Sequence, residues 1–324
     1  MDNALVKTGS GELMTLERRP AEQNPARVYV AGLARGSRRT MAGALGLMAG
    51  LLSGGSADVD TMPWHMLRYS HVAALRAALM EQYAPATVNK QLAALRGTLT
   101  AAWRLGQMTA DDLRQATDVK TVRGSTVLRG RALTAGEIAA LMGACENDHG
   151  PAGVRDAAIS AVALVCGLRR EELTALDVAD YDATTGQLAV RSGKGAKDRT
   201  VYAVNGAADA LADWLTIRGG DAGPLFWPMY RGGRLMTGQR MTPQSIFDIC
   251  KRRGAEAGIR DFGPHDLRRT MITSLLDAGI DTFVVSKLAG HSDPATTARY
   301  DRRPESAKKE AAGRLHVPYH PRMM

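Results

Sequence analysis

Five short stretches of this chain hold side chains that could handle a charged oxygen or a proton. Arg169 and Glu172 stand three apart in CGLRREEL (166–173), and Lys194 sits in RSGKGAKDR (191–199). His265 and Arg268 stand three apart in PHDLRRT (264–270), His291 lies in LAGHSD (288–293), and Tyr300 closes TTARY (296–300). Arginine offers a planar fork of donors for paired oxygens, histidine a proton acceptor near neutrality, lysine a proton or a compact charge. Tyrosine offers a hydroxyl that attacks once deprotonated. Each has an ordinary alternative when taken alone: a surface His-x-x-Arg pair, a surface Arg169–Glu172 ion pair, a solvated turn lysine, a packing tyrosine.

The elements around these residues would have to bring them together. Pro264 suits a first helical turn, so His265 and Arg268 share one face of a helix over 264–278 and can reach one ligand. Gly290 suits a left-handed cap after a helix over 282–289, which leaves His291 just past the terminus. Asp293-Pro294 then starts a last helix that carries Tyr300 about two turns in. Arg169 follows the break at Gly167-Leu168, between an apolar helix over 155–166 and a short polar one over 170–176. Three β-like runs, 176–181, 187–191 and 199–204, predict a small antiparallel sheet, with SGKGAKD (192–198) as a hairpin tip presenting Lys194. Further helices are expected over 207–217 and 243–257, and Thr134 with Glu137 forms a capping box ahead of Ile138, Leu141 and Met142.

Before Leu133 the pattern is purely helical. Ser37 stands as a cap before Met41, Leu45, Met48 and Leu52, which follow one helical face, and further helices are expected over 70–83 and 87–106. Thr109 with Asp112 would cap a short fourth helix. The pattern fails over 119–131, where Lys120, Arg123, Arg129 and Arg131 occur with no acidic residue, as in a solvated hinge or one lying along a phosphate backbone. The expected organisation is an N-terminal extension (1–22), a helical bundle (23–118), a basic linker (119–131), a mainly helical domain with a small antiparallel β-sheet (132–302) and a tail (303–324).

Composition narrows the partner. Against 33 acidic residues the chain has 42 Lys and Arg among 324, a formal charge of +9 that favours a polyanion without separating DNA from RNA or an acidic membrane. Cys145, Cys166 and Cys250 offer neither a disulfide framework nor a zinc site, so a reducing compartment, the cytoplasm, is expected. The longest apolar run, 157–166 with Ser160 inside it, falls short of the roughly 18–20 residues that span a bilayer. No Gly-x-x-x-x-Gly-Lys-Ser/Thr segment is present. Trp64, Trp103, Trp214 and Trp227 read as packing residues.

Taken in order and at their spacings, the five stretches resemble the signature of the tyrosine recombinases, the family of phage integrases, Xer proteins and Cre. By motif, the resemblance makes Arg169 and Arg268 the clamp on the non-bridging oxygens of a DNA phosphodiester. Tyr300 becomes the nucleophile, His265 the general base, His291 a hydrogen-bond donor, and Lys194 the acid for the departing 5′ oxygen. Glu172 would orient Arg169. The implied product is a 3′ phosphotyrosyl link, and rejoining then needs no ATP, cofactor or metal, because the ester energy is kept and arginines stand where Mg²⁺ would. The bundle resembles the family's core-binding domain, with Ser37, Arg38, Arg39 and Thr40, and Thr87, Asn89, Lys90 and Arg96, as DNA-facing candidates; Lys197, Arg199 and Gln244 are those of the second domain. The implied partners are double-stranded DNA, further copies in DNA-bound dimers and a synaptic tetramer, and a paralogous recombinase or accessory factor; the tail either docks on a neighbour, as the resemblance implies, or is simply a disordered end. Two alternatives stand beside recombination: relaxation of the type IB topoisomerase kind, which the compact helical N-terminal domain disfavours, and a DNA-binding protein without catalysis, which would have no reason to keep all six residues.

Overall fold

In the computed structural model, which describes residues 18–124, 130–191, 198–291, 293–300 and 312, the first helix opens where Asn24 meets Pro25. The Asn24 side chain accepts from the N–H groups of Ala26 and Arg27, and α1 runs over Pro25–Ala31. The sequence expectations omit this helix, although Asn-Pro is a start signal. Ser37 does not cap the next one: α2 (Arg35–Ser53) begins after Ala34, and Ser37 lies inside its first turn. The Arg38 guanidinium ties the turn between them, donating to the carbonyls of Leu33 and Ala31.

Three more helices complete this unit: α3 (Tyr69–Gln82), α4 (Pro85–Arg104) and α5 (Ala110–Thr117), the last capped by Thr109, whose hydroxyl accepts from the Asp112 N–H. Leu45, Met48, Leu52, Leu75, Leu79, Leu92, Leu95 and Leu99 meet in one core with Trp64. Trp103 does not join it and is exposed. Residues 18–24 are fastened on by Arg18 and Arg27, which both pair with Asp60.

The chain divides into two units, 1–127 and 128–324, so the boundary falls inside the stretch expected to be a linker. Residues 119–124 are not a free hinge. Val119 and Val122 are buried in the first unit's core, and the Asn89 amide both donates to and accepts from the backbone of Val122. Arg76 donates to the Lys120 carbonyl, and Arg96 to that of Val119. A run without helical periodicity can still be ordered when side chains take up its backbone groups. Arg129 falls outside the described residues.

The second unit opens with the capping box of Thr134 and Glu137 ahead of α6 (Ala135–Glu146). Helix α7 (Pro151–Cys166) is buried on nearly every side, and α8 (Arg170–Ala175) follows it after the turn at Gly167 and Leu168. Strands β1 (Gln187–Val190) and β2 (Arg199–Tyr202) pair antiparallel, Val190 opposite Arg199 and Gln187 opposite Tyr202. The run 176–181 is not a third strand. The Asp180 carboxylate accepts from the Asp177 N–H and closes a 3₁₀ turn over Val178–Asp180, leaving only isolated bridges on either side. Helices α9 (Gly206–Arg218), α10 (Pro243–Glu256), α11 (Pro264–Asp277), α12 (Thr282–Ala289) and α13 (Pro294–Ala298) complete the unit. Behind the apolar core, Asp156 of α7 is fully buried between Arg155, Arg252 and Arg253, which binds α10 to α7. Among the described residues no helix is long and apolar enough to cross a membrane.

Candidate active site

Helix α7 ends at Gly167 with φ 60°, a left-handed conformation that a side chain resists, and this turn places Arg169 at the head of α8. There the Glu172 carboxylate accepts from the Arg169 N–H and from its Nη1, each at 2.8 Å, while Arg169 Nη2 donates to the Gly290 carbonyl at 3.0 Å. A second arginine meets the same carboxylate. Arg199 donates from Nη1 to Oε1 and from Nη2 to Oε2, both at 2.8 Å, and from Nε to the Leu288 carbonyl at 3.0 Å. Burial works to raise the Glu172 carboxyl, but these hydrogen bonds and the fields of both arginines outweigh it and hold it at about 2.

Arg268, on α11, is 1% exposed. Its Nη1 donates to the Gly167 carbonyl at 2.6 Å, yet its Nη2 is buried with no hydrogen-bond partner. Burial, and then the cation of Arg169, lower this guanidinium to about 10. A buried cationic donor left open is costly, and an anion placed against it would remove that cost. One turn earlier His265 stands in a cleft of about 410 Å³ lined also by Arg169, Arg170, Glu171 and Phe247. Its imidazole is held below the ordinary value by loss of water and by the cations Arg268, Arg269 and Arg169, with Asp266 opposing.

Gly290 ends α12 with φ 65°, as the sequence leads one to expect, and the turn brings in His291. Its backbone N–H reaches the Ser286 carbonyl at 3.0 Å, and its Nδ1 lies 2.8 Å from the Thr297 hydroxyl. Burial, followed by Arg268, Arg169, His265 and Arg199, drives its imidazole down to about 4.

Tyr300 is placed differently from the expectation. Helix α13 is only five residues long, and Tyr300 lies beyond it, its N–H bonded to the Thr297 carbonyl at 2.9 Å. The side chain is buried, its ring stacked on His291 at 6.3 Å between centroids and 19° between planes, with the Arg269 guanidinium 5.2 Å from the ring centre. The structure thus brings Arg169, Glu172, His265, Arg268, His291 and Tyr300 into one basic cleft. Lys194 and Lys197 lie outside the described residues.

The candidate DNA contacts fare less uniformly. Arg39, Thr40 and Lys90 are exposed, Thr87 is half-buried, and Arg38 is exposed while tying α1 to α2. Ser37 is a half-buried residue of α2. Asn89 and Arg96 are engaged with the backbone of residues 119–122, and Gln244 with Asp248. Arg199 needs a correction: its side chain is only 10% exposed and is spent on Glu172 and Leu288, because β2 delivers it to the inner side of the cleft. Arg269, against the Tyr300 ring, and Thr297, against His291, belong to this site and are not among the expected residues. Arg269 follows Arg268 directly, and neighbours on a helix point about 100° apart, so spacing gives no reason to link both to one site. Thr297 stands three residues before Tyr300, and that one-turn spacing is a signal that could have found it. Among the described residues no cluster of three His, Cys, Asp or Glu side chains could hold a metal ion.

Comparison with known proteins adds four findings. The model of the phage integrase family matches residues 131–306. Tyrosine recombinase XerA of Pyrococcus furiosus is 33% identical over 164 residues, covering 51% of this chain and 56% of that protein. Tyrosine recombinase XerC of Mycobacterium leprae is 32% identical over 275 residues, covering 83% of this chain and 89% of that protein. In fold the chain is similar to the Tn1549 transposon integrase, solved in complex with a circular intermediate DNA, with a TM-score of 0.67, 14% identity and coverage of 90% and 99%.

Proposed function

The chain belongs to the phage integrase family and is a tyrosine-type site-specific DNA recombinase; on that premise we propose that Tyr300 is its nucleophile and that the surrounding cleft receives the scissile phosphate. The observation that supports this most is the buried, unpartnered Nη2 of Arg268 in a cleft where burial and the neighbouring cations depress both histidines. Such a cleft is short of one anion. With a phosphodiester in place, Arg268 and Arg169 grip the non-bridging oxygens and oppose the charge that builds in the pentacovalent state. The Tyr300 oxygen attacks phosphorus as His265 takes its proton, and a P–O bond forms to tyrosine while the bond to the 5′ oxygen breaks. Lys194 gives that oxygen its proton. His291 holds Tyr300 by ring stacking and offers its ring N–H to the phosphate.

The depressed histidines suit this chemistry. A phenol with pKa about 10 needs a neutral acceptor, and burial together with the nearby arginines lowers His265 from its ordinary value and favours that neutral form. Rejoining reverses the steps with a 5′ hydroxyl from another strand, so the energy of the ester is retained. Double-stranded DNA is the partner, and exchange between two duplexes calls for DNA-bound dimers that pair into a tetramer, in the cytoplasm where such DNA is found. A paralogous recombinase or accessory factor would act on this assembly, and residues 303–324 are the segment we assign to docking between protomers.

Expression of the wild type and Tyr300→Phe in cells, followed by denaturation and sequencing of covalently attached DNA, tests the reading. DNA at a few discrete positions from the wild type alone is the expected result. Attachment that persists in Tyr300→Phe would overturn the nucleophile, and scattered attachment would mark topoisomerase-like action.

A further inference from the structure

We propose that Arg199 is a positioning residue: it locks Glu172, and through Glu172 the guanidinium of Arg169, while pinning the end of α12 that delivers His291. The proposal rests on the reading of Arg169 and His291 as groups that meet the phosphate. Arg169 alone is poorly restrained, since its side chain is 38% exposed while those of Glu172 and Arg199 behind it are 9% and 10% exposed. A free arginine of that kind would lose rotamer entropy on gripping a ligand. Here the loss is already taken by a carboxylate that is itself held at both oxygens by the Arg199 fork.

The geometry links three elements. Arg199 begins β2, where pairing opposite Val190 fixes its backbone. Its Nε reaches the Leu288 carbonyl, and Arg169 reaches the Gly290 carbonyl, so neighbouring carbonyls at the end of α12 bind the two arginines that share Glu172. A methyl group at Gly290 would stand 2.8 Å from Arg199 Nη1, so the glycine serves the close approach as well as the left-handed turn. The alternative, that Arg199 grips the DNA backbone, would require it to release donors already bonded inside the protein.

Three measurements on the full chain decide between these. Arginine Nε–H NMR of the free protein reads the restraint directly, with the Arg169 signal assigned by its loss in Arg169→Lys. That signal should shift and broaden in Arg199→Leu and in Arg199→Lys, since an ammonium cannot hold both carboxylate oxygens. Circular dichroism and thermal melting establish that the variants are folded, and should Arg199→Leu fail to fold, Arg199→Lys carries the same test. Binding of a random-sequence 30-base-pair duplex over a salt series should give an unchanged slope, whereas loss of a phosphate contact would lower it by about one. In cells, the yield of Tyr300–DNA adduct should fall about ten- to hundredfold in both variants. An unmoved Arg169 signal, a reduced salt slope, or full adduct yield in Arg199→Lys would overturn the proposal. If the wild type itself gave no adduct, the recombinase reading would fail, while the NMR result would still decide whether Arg199 positions Arg169.

Discussion

At the scale of single residues, the cleft gathers arginines around two histidines, and burial first, then those cations, holds both imidazoles below their ordinary value. His291 is held near 4 against an ordinary 6.5, so its folded form binds a proton more weakly than its unfolded form. The stability it contributes is complete above pH 6.5 and is lost as pH falls toward 4. Urea unfolding at several pH values should therefore show the wild type losing stability faster than His291→Gln across that window. A bound phosphate offsets the arginine part of these shifts, leaving the part due to burial, so both histidines should rise and DNA binding below pH 6.5 should take up protons. Calorimetry of binding in two buffers of different ionisation enthalpy measures that uptake, and none at pH 5.5 would contradict it. The order and spacing of the motifs, through their resemblance to the tyrosine recombinases, made Arg169, Glu172, His265, Arg268, His291 and Tyr300 legible as candidates in the sequence. What spacing could not supply was which side chains are consumed by the protein itself: Arg199 and Asn89 look like DNA-facing residues in a string of letters and prove to be bonded internally.

At the scale of elements, turns and caps set the site more than the helices do. Three chain reversals, at Gly167, at Gly290 and after α13, deliver Arg169, His291 and Tyr300. Gly290→Ala should cost about 1–2 kcal/mol for the left-handed conformation. It should also reduce adduct formation beyond what that instability explains, because its Cβ displaces Arg199. Denaturation midpoints and adduct yield measured on one preparation separate the two effects. Helix α10 is joined to α7 by the buried carboxylate of Asp156, which three arginines share. Asp156→Ala leaves those cations without their partner and should destabilise the second unit by about 3–5 kcal/mol in urea unfolding. The helices, including the capping boxes and the Gly290 cap, follow from local rules that the sequence displays. The third strand and the length of the last helix do not. Asp180 diverts residues 176–181 into a turn, and α13 stops before Tyr300, whose ring packs against His291.

At the scale of the whole molecule, each unit has a core of its own, one around Leu45, Leu92 and Leu95 and the other around Ile159, Leu188 and Trp214. Mutations should then act on one unit at a time. Leu95→Ala is expected to cost about 2–5 kcal/mol in the first unit, and Asp156→Ala to act in the second, so calorimetric scans should show different transitions moving. A single transition that shifts equally in both variants would contradict this. The charge of +9 acts at the same scale, drawing the chain to a polyanion whatever its sequence, so DNA affinity should fall steeply with salt. The sequence by itself determined the order of the chemical groups, the helices that bear them and the taste for a polyanion, since motif spacing, capping and net charge are local or additive properties. Only the tertiary structure decided that Arg199 turns inward, that residues 119–124 are strapped to the first unit, and that Arg268 keeps one buried donor open. Those outcomes depend on which backbone carbonyl or carboxylate lies within reach of a long side chain, over separations of 23 to 101 residues, and no local rule carries that information.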